Sequence, residues 1–193
     1  MHRRGEGLHL RIGRVNYEES FAFRQDDFFC NTAVKEFDYS TNGAYFITIC
    51  TYNRKCILSS VGAIHESPEN AFTKLTAYGN IAEKHINALE GRFNLIIPVY
   101  SIMPNHIHMI IMVDNQRAIR ESPLQNNRSV LSKAIGYLKM NTSKEIHHYC
   151  DIEVWQRGYY DHIIRNEKDL NDIWQYIAEN PRKWLLGKDE YYA

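Results

Sequence analysis

The sequence predicts an α+β fold of ferredoxin-like type, an antiparallel sheet with helices on one face, and three observations carry that prediction. The elements read along the chain follow the order strand, helix, strand, strand, helix, strand, helix. Two apolar runs meet at Pro104-Asn105, as two strands joined by a tight turn do. The chain has 193 residues, 44% of them apolar and 24% charged. Such a composition belongs to a globular protein that buries about 70% of its unfolded surface, and it excludes bulk disorder.

Residues 1–38 carry Arg3, Arg4, Arg11 and Arg14, then Phe21, Phe23, Phe28 and Phe29, with no sustained period of two or 3.6. They read as an N-terminal arm or extension, which leaves 39–193 as one domain. A turn cluster at Tyr39-Ser-Thr-Asn-Gly43 precedes Ala44–Tyr52, whose β-branched and aromatic residues predict a strand. Ser67-Pro68-Glu69 opens a predicted helix from about Asn70 to Leu89, with Phe72, Leu75, Ile81, Ile86 and Leu89 on one face and Gly91 as its stop. Phe93–Met103 and His106–Val113 are the paired strands, and 114–128, polar and aperiodic, is a loop. Ser129 caps a helix reaching about His148, and Trp155–Arg165 holds a short strand with its approaches. Asn166-Glu-Lys-Asp169 opens a last helix ending near Asn180-Pro181, because a residue before proline is pushed out of the helical region.

No run approaches the roughly 20 apolar residues of a membrane span, and Met1–Arg14 lacks a signal-peptide segment, so the expected protein is soluble, cytoplasmic and without a membrane partner. Cys30, Cys50, Cys56 and Cys150 form no CxxC pair and read as free thiols. Lysine plus arginine and aspartate plus glutamate both number 23. A dedicated duplex-DNA binder is usually clearly basic, so nucleic-acid binding here calls for a local basic groove.

His106 and His108, two apart in a predicted strand, project from the same face. Two imidazoles so placed can share a metal ion, or can simply hydrogen-bond at a sheet edge. The surrounding residues are apolar, and two polar rings there are costly unless something binds them. Two histidines are too few for a closed zinc site, so the pattern favours an open position suited to magnesium or manganese completed by waters and a substrate phosphate. In the last helix Tyr176 and Asn180 stand at i and i+4, one above the other. Spacing alone favours a packing tyrosine and a helix-terminal capping asparagine over a functional pair.

Three separated motifs speak to these alternatives: Met103-Pro-Asn-His-Ile-His108, Trp155-Gln-Arg-Gly-Tyr-Tyr-Asp-His-Ile-Ile-Arg-Asn166 and Tyr176-Ile-Ala-Glu-Asn-Pro-Arg-Lys-Trp184. Together with Phe37–Thr51 at the first strand, they closely resemble the REP-associated tyrosine transposases of the single-tyrosine HUH superfamily. The resemblance implies cleavage and rejoining of single-stranded or hairpin DNA through a covalent tyrosine–phosphate intermediate, with the catalytic helix at the C-terminal end of the domain. Carried over by position, Tyr176 matches the nucleophile, His106 and His108 the metal pair, and Asn180 the place of a third, amide-bearing ligand. His162 also matches a family position and reads as a hydrogen-bonding residue rather than a ligand. The implied cofactor is a divalent ion, Mg2+ or Mn2+. No nucleotide is needed, because a phosphotyrosine bond preserves the energy of the phosphodiester, and no GxxxxGK[ST] is present.

Lys133, Lys139, Arg157 and Arg165 are the candidate DNA-binding cations, and Trp155, Tyr159 and Tyr160 could stack on unpaired bases. The expected assembly is a monomer or homodimer. Two other readings stay open: a metal-dependent phosphodiester hydrolase in which His106 and His108 activate water and Tyr176 is structural, and a non-catalytic DNA- or RNA-binding relative.

Overall fold

The computed structural model describes residues 43–63, 67–113 and 129–189. The proposed arm at 1–38, the loop at 114–128 and Cys30 therefore lie outside the described residues. The elements in order are β1 (Gly43–Cys50), β2 (Ser59–Ala63), β3 (Ala71–Leu75), α1 (Ala77–Phe93), β4 (Leu95–Ile102), β5 (His106–Val113), α2 (Val130–Ile146), β6 (Tyr160–Ile164), α3 (Glu167–Ala178) and α4 (Asn180–Leu185). Four strands form one antiparallel sheet in the order β4-β5-β1-β6, and β2 and β3 form a separate hairpin. With the hairpin set aside, this is the ferredoxin-like α+β arrangement. Among the described residues no helix is long and apolar enough to cross a membrane. Cys50, Cys56 and Cys150 are free thiols.

The apolar sequence of β5 explains the layering. A strand apolar at both parities must be covered on both faces. Ile107, Met109, Ile111 and Val113 join Tyr45, Ile47 and Ile49 of β1 in a core closed by Ile86 and Leu89 of α1 and by Leu131, Ile135 and Leu138 of α2. On the opposite face Ile110 packs with Ala44, Val99 and Ile164 under α3, which contributes Leu170, Ile173, Trp174 and Ile177. Helices on one face describes α1 and α2. The third helix takes the other face, because the even positions of β5 would otherwise expose Ile110 and Met112.

Three helix boundaries differ from the sequence reading. The helix expected from Asn70 begins at Ala77, since Ala71–Leu75 pairs with Ser59–Ala63 and Thr76 is the cap, its hydroxyl accepting from the Gly79 amide at 3.1 Å. Gly91 does not stop it. The helix ends three residues later at Asn94, which takes the left-handed conformation (φ 50°) that asparagine tolerates. Pro181 does not end the helical region either: α3 stops at Ala178, and Pro181 occupies the first turn of α4, where no intrahelical amide bond is required.

The hairpin segment is bolted to the turn between β4 and β5. Leu58 N donates to Pro104 O (3.0 Å), Ser59 Oγ to Ile102 O (2.9 Å), and Thr76 N to Leu58 O (2.9 Å). Gly79 sits directly beneath that last carbonyl, and a Cβ there would run into Leu58 O and Leu75. Gly79→Ala should therefore destabilise the protein by about 1–3 kcal/mol through overpacking, although helix propensity alone would favour alanine by about 1 kcal/mol. Urea unfolding checks this, and a raised midpoint would contradict the packing account.

Candidate active site

The two histidines are placed by the turn that launches β5. Met103 N donates to His106 O (2.9 Å), while Thr51 N and Thr51 Oγ1 both donate to Asn105 O (2.9 and 3.0 Å). His106 Nδ1 lies 2.8 Å from Asn105 Oδ1, and His108 Nδ1 lies 2.8 Å from the hydroxyl of Thr48, its register partner on β1. A proton held at Nδ1 by such a partner leaves the basic lone pair on Nε2, the arrangement a metal-ligating imidazole needs. The ring centroids are 4.5 Å apart, and both residues are fully buried.

Helix α3 lays its residues over this pair. Its apolar side, Leu170, Ile173, Trp174 and Ile177, recurs at i, i+3, i+4 and i+7, so it binds the sheet by one stripe. Tyr176 then stands with its ring 5.3 Å from that of His108 and edge-on to Phe46 at 6.0 Å. One turn further, Asn180 is fully buried and lies against His106, and Trp184 of α4 stands 6.1 Å from the same ring. Tyr176, Asn180 and Trp184 thus continue one face across the α3–α4 junction.

Burial holds the His106 imidazole down to about 3, with the Asn180 contact opposing the shift and the charge of Arg54 adding to it. His108 is pushed well below the ordinary histidine range, again by burial and then by its neighbour His106. Both rings are neutral at neutral pH, the form that donates to a metal.

The same shift makes stability depend on pH. The unfolded chain takes up a proton on His106 near 6.5, whereas the folded chain resists until about 3, so folding is disfavoured as pH falls through that window. At about 1.4 kcal/mol per pH unit, lowering the pH from 6.5 to 5 should remove about 2 kcal/mol through His106 alone. A His106→Gln variant should lose less over that interval in urea titrations, and identical pH slopes would refute the assignment.

The donor set fits a divalent ion of open coordination: two neutral imidazoles and a carboxamide. Beyond its contact with His106, the Asn180 amide has no hydrogen-bond partner among the described residues, so its oxygen is available as a third ligand. Among the described residues no cluster of three or more His, Cys, Asp and Glu side chains is gathered for a metal. Remaining positions would fall to water or substrate oxygen.

His162 is not part of this group. Its Nε2 lies 3.0 Å from Asp169 Oδ2, which also accepts from Arg165 N (3.3 Å), so it fastens β6 to the first turn of α3. The four candidate DNA-binding cations are carried by different parts of the fold. Lys133 and Lys139 belong to α2, on the opposite face of the sheet, and Lys139 donates to the carbonyls of Gln156 (2.6 Å) and Gly158 (2.7 Å). Arg157 and Arg165 are exposed on either side of β6. Tyr159 meets Ser132 through its hydroxyl at 3.2 Å, Trp155 bridges to Thr51, and Tyr160 is exposed.

Sequence reasoning did not single out Thr48, Phe46, Arg54, Lys183 or Trp184. Trp184 was within reach, since i, i+4 and i+8 from Tyr176 share a helical face. Thr48 and Phe46 depend on a strand register that only pairing decides.

A Haemophilus influenzae protein described only as uncharacterized is 32% identical over 172 residues, covering 83% of this chain and 91% of its own. A second protein of that organism, named "Putative REP-associated tyrosine transposase", is 27% identical over 150 residues, covering 76% of this chain and 74% of its own. The solved structure of a REP-associated tyrosine transposase bound to a REP hairpin superposes with a TM-score of 0.50 at 20% identity, covering 79% of this chain and 73% of that one, and it shows the same fold. The chain is similar in sequence to a REP-associated tyrosine transposase and shares the fold of one. No family model matches it. A REP-associated tyrosine transposase is named for a tyrosine, and this chain has 13. Among the described residues, Tyr176 is the tyrosine whose ring lies beside that of His108.

Proposed function

We propose that the protein cleaves and rejoins single-stranded DNA, with Tyr176 as nucleophile and His106, His108 and Asn180 as the ligands of a divalent ion. The convergence of Tyr176 and Asn180 from one helical face onto the two buried imidazoles carries this reading. A bound ion would polarise the scissile phosphate and offset the charge that develops on it.

The residues of the chain do the rest. A phenol with an ordinary pKa near 10 is a weak nucleophile at neutral pH, so its placement matters more than its basicity. Tyr176 Oη attacks phosphorus and gives up its proton to solvent; the new O–P bond replaces the P–O bond to the leaving nucleotide, which takes up a proton from solvent and departs as a hydroxyl. The phosphodiester energy stays in the phosphotyrosine, and reversal with another hydroxyl end rejoins a strand. Phe46 and Trp184 wall the pocket with apolar surface, which limits water as a competing nucleophile.

The test is denaturing electrophoresis after incubation with a labelled single-stranded hairpin oligonucleotide and Mg2+ or Mn2+. A covalent protein–DNA adduct mapped to Tyr176 is expected. Free ends without an adduct would instead assign attack by water, and neither product would leave a binding protein.

Substrate form gives a further expectation. Among the described residues the three long helices α1, α2 and α3 pack on the sheet and do not project to enter a major groove, whereas unpaired segments can be threaded and stacked. Hairpin and single-stranded oligonucleotides should bind more tightly than perfect duplex of equal length at matched ionic strength. Equal or tighter duplex binding in an anisotropy titration would contradict this.

A further inference from the structure

Two cations that flank the pocket belong to neither the ligand set nor the nucleophile. Lys183 Nζ stands 4.5 Å from the centroid of the Tyr176 ring and 3.6 Å from Glu179, in a partly exposed pair of the weak, solvent-screened kind. Arg54 ends the turn Tyr52–Arg54 that follows β1. That turn is anchored where His106 begins: Thr51 bonds to Asn105 O through both its amide and its hydroxyl, Arg54 N donates to Thr51 O (3.1 Å), and Cys50 is the register partner of His106.

The backbone there is unusual. Asn53 (φ 51°) and Arg54 (φ 52°) both take left-handed conformations, and neither is glycine, so the backbone there is strained. Such a conformation persists where surrounding bonds over-determine it, and here the Thr51–Asn105 bonds and Tyr52 N to Val154 O (2.9 Å) do so. The exposed Arg54 side chain is thereby carried on a turn fixed to the strand end where His106 stands.

We propose that Arg54 and Lys183 are the residues that grip the sugar–phosphate backbone next to the bond that is cut. The ligand class is a phosphodiester polyanion. This rests on the reading of Tyr176 as nucleophile only for the identity of the strand held; the two cations make a phosphate site in either case. Arg54 brings the planar fork that meets two phosphate oxygens at once, and Lys183 a point charge beside the phenol. When the strand arrives, Lys183 exchanges its weak pairing with Glu179 for a phosphate.

The experiment measures binding of a labelled single-stranded hairpin oligonucleotide by anisotropy across a salt series, in a Tyr176→Phe background so that cleavage does not consume the probe. Arg54→Gln and Lys183→Gln should each weaken binding about tenfold at low salt. Each should also reduce the slope of log affinity against log salt by roughly 0.7, the value for one phosphate contact on a single strand. Arg54→Lys and Lys183→Arg should keep the slope, and Lys144→Gln, on α2 across the sheet, should leave affinity and slope unchanged. Thermal unfolding verifies that each variant is folded; if Arg54→Gln is not, Arg54→Lys and Lys183→Gln decide.

Unchanged slopes in folded variants, or an equal loss in Lys144→Gln, would overturn the proposal. If unmodified protein forms the Tyr176 adduct while the slopes stay unchanged, the phosphate grip alone is wrong. If no adduct forms while both slopes fall, the grip stands and the catalytic reading is wrong.

Discussion

Tyr176→Phe should abolish the covalent adduct and reduce strand cleavage by roughly a thousandfold or more while the protein stays folded and binds the same oligonucleotides. The substitution deletes one hydroxyl and keeps the ring that packs on His108 and Phe46, so its effect on stability should stay within about 1 kcal/mol. The catalytic loss is large because, among the described residues, Tyr159 is tied to Ser132 and Tyr160 is exposed on β6, whereas Tyr176 lies beside His108. Removing the attacking atom takes away the whole covalent route, not an increment of it. The measurement is adduct yield with peptide mapping, alongside the unfolding midpoint. A Tyr176→Phe protein that cuts at the unmodified rate, or an adduct mapped to another tyrosine, would overturn the mechanism.

Loss of a histidine should be nearly as severe, with a different signature. His108→Ala should lower cleavage by about a hundredfold or more at a fixed Mn2+ concentration, and excess chelator should stop the unmodified protein. A sparse set of three donors leaves little reserve when one is removed. The variant should also lose about 1–3 kcal/mol of stability, because the buried Thr48 hydroxyl gives up its partner. Asn180→Ala separates the two effects: it should raise the Mn2+ needed for half-maximal cleavage by about ten- to a hundredfold and spare the nucleophile. Calorimetric titration of Mn2+ into each variant checks the ligand roles independently of turnover, and full activity in chelator would refute them.

The parts of this protein that were legible in its sequence are those governed by local periodicity. A spacing of two in a strand puts His106 and His108 on one face, and a spacing of four in a helix does the same for Tyr176 and Asn180. The caps at Ser129 and Asn166 were readable because a hydroxyl or amide satisfying a first-turn amide is a contact three residues long. The β2–β3 hairpin was not readable. Ser59–Ala63 is short, small and without alternation, and Ala71–Leu75 continues into helix-compatible residues, so only their mutual pairing makes them strands.

By itself, then, the sequence determined the order of the main elements, the two residue pairs to which the proposed chemistry is assigned, and the resemblance of its motifs to a transposase family. Tertiary structure alone decided that α3 crosses to the face opposite α1 and α2, which brings Tyr176 and Asn180 onto the histidines. It also decided that Thr48 is the partner of His108, and that Lys183 stands beside the Tyr176 ring. The physical reason is range. Periodicity and capping act over three or four residues, whereas register, layering and the burial that keeps His106 and His108 neutral arise from contacts some sixty residues apart, such as the one between Thr48 and His108.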